Sequence, residues 1–451
     1  MLDMQKTSRR SAGVAVYSPA CGNQFGPDRG DFLVQPLHNW VMQLSISILA
    51  SSAIFLATGC SQPTPPATFE PAALTVPAGA ESSGPRITEG MDDGVVLSWM
   101  EPDETGTTLK FSILSNGQWQ PAQTVVSGIN MFVNWADLPS VVPLRDQHLI
   151  AHWLQKMPGG RYAYDVVAAQ SIDDGRTWSD SFSPHRDGTP TEHGFVSMFG
   201  RDDRPGMIWL DGRKAISEAT DDPVASGMTL RAAFVDSDNE LHGEQLVDDL
   251  ICDCCETDVA VAASGPVAVY RNRTVDEIRD IYVSRFVDGE WQPGQALAND
   301  NWHIAGCPVN GPAIVARGEL VAVAWFSAAN GLPVVRLKVS NDSGESFADA
   351  VDIAAGSTLG RVGVALLNDD TVAVSWLQAG DLPLNNVNVR KVSADGLTGP
   401  VQTVSSTAAP YSVPQMVNDG THLVFAWTEI HDDVRRVMSA RVPISSLSLS
   451  D

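Results

Sequence analysis

Positive charge is scarce in this chain: 29 Lys and Arg stand against 54 Asp and Glu in 451 residues, a formal net charge of −25. No basic stripe interrupts the acidity, which excludes nucleic acid and anionic membrane surfaces as partners, since both are held by counter-charge. Long apolar runs are missing too. The longest, LSISILASSAIFLATG between Gln43 and Gly59, is too short and too rich in Ser and Ala for a membrane-spanning helix. Cysteine is sparse. Of six residues, Cys21 and Cys60 precede the regular part of the chain, leaving Cys252, Cys254, Cys255 and Cys307.

What the chain does have is a recurring tryptophan near the end of an apolar strand, at Trp99, Trp153, Trp209, Trp325, Trp376 and Trp427, with Tyr270 in the one gap. Each copy opens on a turn of Asp, Asn or Gly and continues as β-forming residues: DDGVVLSW, DQHLIAHW, RGELVAVAW, NDDTVAVSW, NDGTHLVFAW. The spacing of about 51 to 61 residues is that of a four-stranded propeller blade and too long for a helical repeat. A short strand precedes each aromatic (RITEG, LPSVV, FVSMF, DVAVA, PAIVA, VGVAL, VPQMV). Polar, Pro- or Gly-interrupted edge strands follow in several copies (WQPAQTVV, GEQLVDD, WQPGQALA, GPVQTV). The seventh copy has no edge strand of its own, and FEPAALTVPAG, before the first, has that pattern. The chain is therefore expected to be all-β, a seven-bladed propeller closed by pairing residues 69–77 with the C-terminal strand; six blades is the alternative.

The segment ending in ATGC at Cys60 resembles the lipobox of bacterial lipoproteins, in which the cysteine is lipidated and becomes the mature N-terminus. The resemblance implies an export segment at 1–60, with translation from Met1 or Met42, a Pro-rich tether at 61–67 and one propeller domain at 68–448. Ser61 after the cysteine implies outer-membrane sorting. The expected setting is the cell envelope, with the protein a lipid-anchored monomer.

Two segments, SIDDGRTW at 171–178 and SNDSGESF at 340–347, fit the Asp-box, with worn copies at 115–119, 288–291 and 393–396. The chain thus resembles the sialidase-like, or BNR-repeat, propeller superfamily over nearly all of its regular part. In the box, Asp bonds backbone amides, Gly takes a positive φ and the aromatic staples the hairpin, so it speaks for fold and not for chemistry. Sialidases use an arginine triad for the substrate carboxylate, a Tyr nucleophile paired with Glu, and an Asp acid/base. What that implies here is Arg86 in PRIT as the first arginine, Arg271 or Arg273 and Arg361 as the others, Tyr411 as nucleophile and Glu256 or Glu277 as its partner.

In a propeller, loops before the innermost strand and after the second strand open on one face. On that face the third to fifth units collect His185, Asp187, Glu192, His193, Asp211, Arg213, Arg271, Arg273, His303 and Asn310. The same loops carry all four remaining cysteines, and NWAD before the second unit adds Asn134 and Trp135. Function concentrates on loops held by a rigid scaffold, so these are the candidate ligand residues. The cysteines admit two disulfides, one of them joining the CDCC run to Cys307. They also admit a Cu or Zn site with His185, His193 or His303 nearby. The arginines either pair with neighbouring carboxylates or hold an anion bidentately. A binding role for a small anionic, glycan or metal-containing ligand leads, ahead of an exo-sialidase-type hydrolase and of a protein-interaction scaffold.

Overall fold

The computed structural model describes residues 68–89, 94–104, 106–128, 130–145, 147–200, 204–216 and 223–449. The export segment, Cys60 and the tether at 61–67 lie outside the described residues. All described strands belong to one unit, Thr64–Asp451, and all pair antiparallel. No helix among the described residues is long and apolar enough to cross a membrane.

Each unit read from the sequence becomes a sheet whose strands follow one another in chain order. The third, for example, runs His193–Phe199, Gly206–Asp211, Met228–Val235 and Leu241–Ile251. The second holds three strands, Ser140–Arg145, His148–Lys156 and Tyr164–Ser171. The first, third, fourth and fifth groups are separate sheets, while the last two share one eight-stranded sheet through a single bridge, Ala408 to Glu429. In that sheet Ala72–Leu74 lies against Val434–Pro443, with Ala72 opposite Arg441 and Leu74 opposite Ser439.

The repeating aromatic lies within the second strand of each group, which continues beyond it, and is buried: Trp99, Trp209, Trp325 and Tyr270 are fully enclosed, Trp376 almost so. Such a side chain buries roughly 150–250 Å², on the order of 4–6 kcal/mol at about 25 cal/mol/Å². Its polar edge needs a partner, and in three strands the residue two positions on supplies it, because i and i+2 share a face. Trp99 donates to Glu101 Oε2 (3.0 Å), Trp209 to Asp211 Oδ2 (2.9 Å) and Trp376 to Gln378 Oε1 (3.1 Å). Both Asp-boxes form the expected turn. Asp173 accepts from the Thr177 amide (2.9 Å) and Asp342 from that of Ser346 (2.9 Å), while Gly175 and Gly344 take positive φ.

Consecutive groups are laced at their innermost strands. Thr88 donates to Val141 O, the Phe195 amide to Asp137 Oδ1 (2.8 Å), the Ile314 amide to Asp258 Oδ2 (2.9 Å), and Asn418 to Leu366 O (2.7 Å). The first group also meets the last: the Val437 amide donates to Ser82 Oγ (3.0 Å), and Ile87, Leu97 and Trp99 share a core with Val417, Val424 and Val437.

Candidate functional site

Three innermost strands carry a bulge near their start: between Ser83 and Arg86, between Gly194 and Ser197, and around Gly360. A bulge breaks the two-residue alternation and re-aims a side chain. Arg361 and Phe195 themselves sit at positive φ (55° and 51°), a conformation that non-glycine residues adopt only where the surroundings hold them. Around Arg361 the holding group is Asn310. Its Oδ1 accepts the Arg361 amide (2.8 Å), and a Cβ on Gly360 would come within 2.2 Å of it.

Arg86 and Phe195 meet at a small recess lined also by Ala136, Asp137, Leu138, Val196, Glu256 and Thr257. Arg86 Nη1 lies 3.3 Å from Glu256 Oε1, two residues 170 apart in sequence. Glu256 is set there by the close approach of its carbonyl to Gly311, where any Cβ would lie 2.1 Å from the oxygen. Arg361 places its guanidinium 4.9 Å above the Trp135 ring, and Trp135 packs at 5.3 Å against Tyr411. Both aromatics are exposed, Trp135 by 41% and Tyr411 by 68%. Among the described residues no carboxylate lies within ion-pair distance of Arg361; burial lowers its pKa and the Glu256 charge works against that.

The carboxylates in and around the recess are raised by burial to different degrees. Asp137 is fully buried and pushed up to about 8 by that burial, against the Phe195 amide that favours its ionised form and with Glu192 adding to the rise. The Tyr164 hydroxyl lies 3.1 Å from Asp137 Oδ2 and 2.7 Å from Glu192 Oε1, and burial raises Glu192 to about 7. Asp258, also buried, is raised to about 6, with Arg86 opposing the shift. At neutral pH Asp137 is therefore mainly protonated, Glu192 half so and Asp258 mainly ionised, and Arg86 pairs with Glu256.

Several residues placed on the ligand face by sequence belong instead to the frame, and for these the structure corrects the expectation. Arg271 is 2% exposed and spends its fork on three backbone carbonyls, Asn310 O (2.9 Å), Arg279 O (2.7 Å) and Phe326 O (2.8 Å), with Trp302 4.9 Å from it. Three of its five N–H donors are spent on the frame, and its burial leaves no accessible edge for a ligand or a substrate carboxylate. Arg213 is bidentate on Asp211, both bonds at 2.7 Å, and Arg273 is held by Glu277 and Asp253. Glu277 in turn serves Arg273 and Arg279, so it does not partner Tyr411. Asn310 is a positioning residue for Arg361. His303 is exposed, bound into the fold by a backbone bridge to Ile278. The cysteines pair among themselves, Cys252 with Cys255 and Cys254 with Cys307, as one of the two sequence readings has it. His185 and His193 are buried and stack on one another away from them.

Sequence reasoning missed Asp137, Tyr164, Asp165 and Asp258. A signal existed for each. Asp137 and Asp258 are carboxylates at the entry of an innermost strand, and Tyr164 and Asp165 open a third strand, which starts on the same face as the second strand ends.

No protein-family model and no curated protein matches the chain. Solved structures do. A protein of unknown function from Dyadobacter fermentans superposes with a TM-score of 0.50 at 13% identity, over 83% of this chain and 98% of that one. A sialidase of Streptococcus pneumoniae matches with a TM-score of 0.44 at 9% identity, over 79% and 84% of the two chains. A Trypanosoma rangeli sialidase in complex with the inhibitor DANA matches with a TM-score of 0.43 at 10% identity, over 72% and 56%. At such identities the likeness is one of fold.

Proposed function

We propose that this chain is a seven-bladed, closed propeller of the sialidase-like kind that binds a carboxylate-bearing saccharide at the mouth formed by Arg86, Arg361, Trp135, Tyr411 and Glu256. The ring reading is supported by the lacing of each strand group to the next and by the pairing of Ala72–Leu74 with Val434–Pro443. The observation that carries the ligand class is the free fork of Arg361 lying on Trp135, beside an Arg86 that has one long contact to Glu256. A guanidinium with unspent parallel donors recognises a carboxylate bidentately, and exposed aromatic faces accept the apolar side of a sugar ring. The recess has room for little more than a water-sized group, so the saccharide lies outside it, its ring resting on Trp135 and Tyr411.

The hydrolase reading has one feature in its favour, a protonated Asp137 opposite an ionisable Glu256, the pairing that acid-assisted glycoside cleavage uses. It lacks an activated nucleophile. Among the described residues the Tyr411 hydroxyl has no carboxylate partner, and Glu256 faces Arg86 instead. The experiment is calorimetric titration with N-acetylneuraminic acid and with glucuronic acid. At least one is expected to bind, and Arg361→Ala is expected to weaken it about 10- to 100-fold, the weight of a charge-assisted hydrogen-bond pair. Absence of binding by either acid sinks the saccharide reading. Turnover of a fluorogenic sialoside that disappears in Tyr411→Phe replaces it with the hydrolase.

The envelope setting belongs to the same proposal, with Cys60 as lipid attachment site, residues 61–67 as tether, and the protein acting as a monomer. Its support is the ATGC segment together with the paired cysteines, which suit an oxidising compartment. Radiolabelled palmitate should enter the full-length chain expressed in a bacterial host and be lost in Cys60→Ser. Equal labelling of both would remove the anchor.

A further inference from the structure

The two disulfides differ in what they join. Cys252 and Cys255 are both buried and lie three residues apart, so their bond closes only the turn they share. Cys254 and Cys307 are 53 residues apart, and between them runs the whole fourth group of strands, from Asp258–Ala262 to Gln295–Ala296. This second bond ties the loop entering the fourth group to the loop entering the fifth. It is also the accessible one, since Cys307 is exposed and Cys254 half-buried. Each tied loop carries a residue of the proposed mouth or its support. Just after Cys254 comes Glu256, the partner of Arg86, and just after Cys307 comes Asn310, whose Oδ1 accepts the Arg361 amide at 2.8 Å. The loops are fitted against one another where the Glu256 carbonyl meets Gly311, so closely that a Cβ there would lie 2.1 Å from the oxygen.

Little else holds the second loop. Its Ile304 amide bonds to Glu277 O, but among the described residues no backbone hydrogen bond ties residues 305–309 to another segment. Within it Val309 takes a φ of 48°, which a β-branched residue adopts only under constraint. We propose that the Cys254–Cys307 disulfide is a redox gate on the mouth, holding Asn310 against Arg361 when oxidised and releasing it when reduced. The inference rests on the mouth being the ligand site. On reduction Val309 relaxes to negative φ. The Asn310 carbonyl stays anchored on Arg271 Nε (2.9 Å), so the loop pivots there instead of unfolding, and the Asn310 side chain turns away from the Arg361 amide. Opening is an exchange with an external dithiol. Its first thiolate attacks the exposed Cys307 sulfur, the S–S bond breaks, and Cys254 leaves as a thiolate that takes a proton from solvent. The second thiol then displaces Cys307 from the mixed disulfide, so both cysteines end as thiols and the dithiol, oxidised by two electrons, ends as a disulfide. Closing is the reverse with a disulfide oxidant, which confines the formed site to oxidising surroundings.

The test is graded reduction of the wild-type protein with dithiothreitol, read by alkylation and peptide mass mapping, with hydrogen exchange followed in the peptides that contain Arg361. Cys254 and Cys307 should become alkylated while Cys252 and Cys255 are still paired. In that state the Arg361 amide should exchange roughly 10-fold faster. The Cys254→Ser/Cys307→Ser variant should show the same fast exchange without reductant. Both are replaced because Cys252 Sγ lies within 4.8 Å of the Cys254 and Cys307 sulfurs, close enough to re-pair with one left alone. Reduction of the wild type needs no variant to fold, and the double variant needs no reductant, so each arm stands if the other fails. Whichever of N-acetylneuraminic and glucuronic acid binds the oxidised protein should bind the opened protein about 10-fold more weakly, as when only a tenth of the molecules hold the arginine in place. Unchanged exchange at Arg361 overturns the gate. So does reduction of both disulfides together, or equal affinity for the acid in the two redox states. If neither acid binds the oxidised protein, the saccharide reading falls by itself, and the exchange at Arg361 decides the gate.

Discussion

Replacing Arg271 with alanine is expected to destabilise the fold by about 3–5 kcal/mol, the cost of breaking a buried, fully engaged charged group. Its guanidinium joins three carbonyls drawn from separate parts of the chain, at Arg279, Asn310 and Phe326, with the Trp302 ring beside it. Alanine would leave all three carbonyls buried without a donor and open a cavity beside Trp302. Part of this is offset, because the buried guanidinium is itself strained by desolvation, which lowers it to about 9 while leaving it charged at neutral pH. Arg271→Lys should recover less than half of the loss, since an ammonium is a point donor and cannot serve three carbonyls arranged around a planar fork. Urea denaturation followed by tryptophan fluorescence measures both variants. A loss under about 1 kcal/mol for alanine would return Arg271 to the pool of ligand residues.

The second large effect is a pH dependence. The Asp137 carboxyl is raised to about 8 in the folded protein, from an ordinary 3.8. Below pH 4 it is protonated in both states and carries no penalty. Between pH 4 and 8 the unfolded chain releases the proton and the folded one keeps it, so folding stability falls, on the order of 1.4 kcal/mol per pH unit. Above pH 8 the loss is complete. Asparagine has the shape of the protonated acid: its oxygen accepts the Phe195 amide, and its nitrogen donates to Tyr164, whose hydroxyl then donates to Glu192. Asp137→Asn should therefore match the wild type near pH 4 and exceed it by several kcal/mol at pH 8. Glu192, raised to about 7, titrates in both proteins and cancels to first order. Parallel stability curves for the two proteins would mean that Asp137 is ionised in the fold, and the protonated acid that the hydrolase reading needs would go with it.

Much of the framework could be read from local pattern. The second strand of each group follows from the recurring aromatic, though it runs past it, and the Asp-box turns follow from residues two to four positions apart, as in Asp173 with Thr177. The edge-strand character of FEPAALTVPAG anticipated the pairing of Ala72–Leu74 with Val434–Pro443. The cysteine reading left two chemistries open, and the pairing of Cys254 with Cys307 follows the first. For the site the reading was partial. Of the residues singled out, Arg86 and Glu256 lie 3.3 Å apart on one recess, and Arg361 and Tyr411 meet through Trp135. Arg271 was singled out on the same grounds and lies buried among carbonyls.

By itself the sequence determined the period, the strand order, the turns and which face carries the reactive residue types, because these rest on interactions between residues a few positions apart or on strict alternation along a strand. Tertiary structure decided which polar groups keep a free face. Arg271 ends a second strand and Arg361 sits at the bulge of an innermost one; the first is spent on Asn310, Arg279 and Phe326, while the second lies on Trp135. That difference depends on desolvation and on distant partners, such as Asn310, 39 residues from Arg271, or Trp135, several strand groups before Arg361, distances over which sequence pattern carries no geometric information.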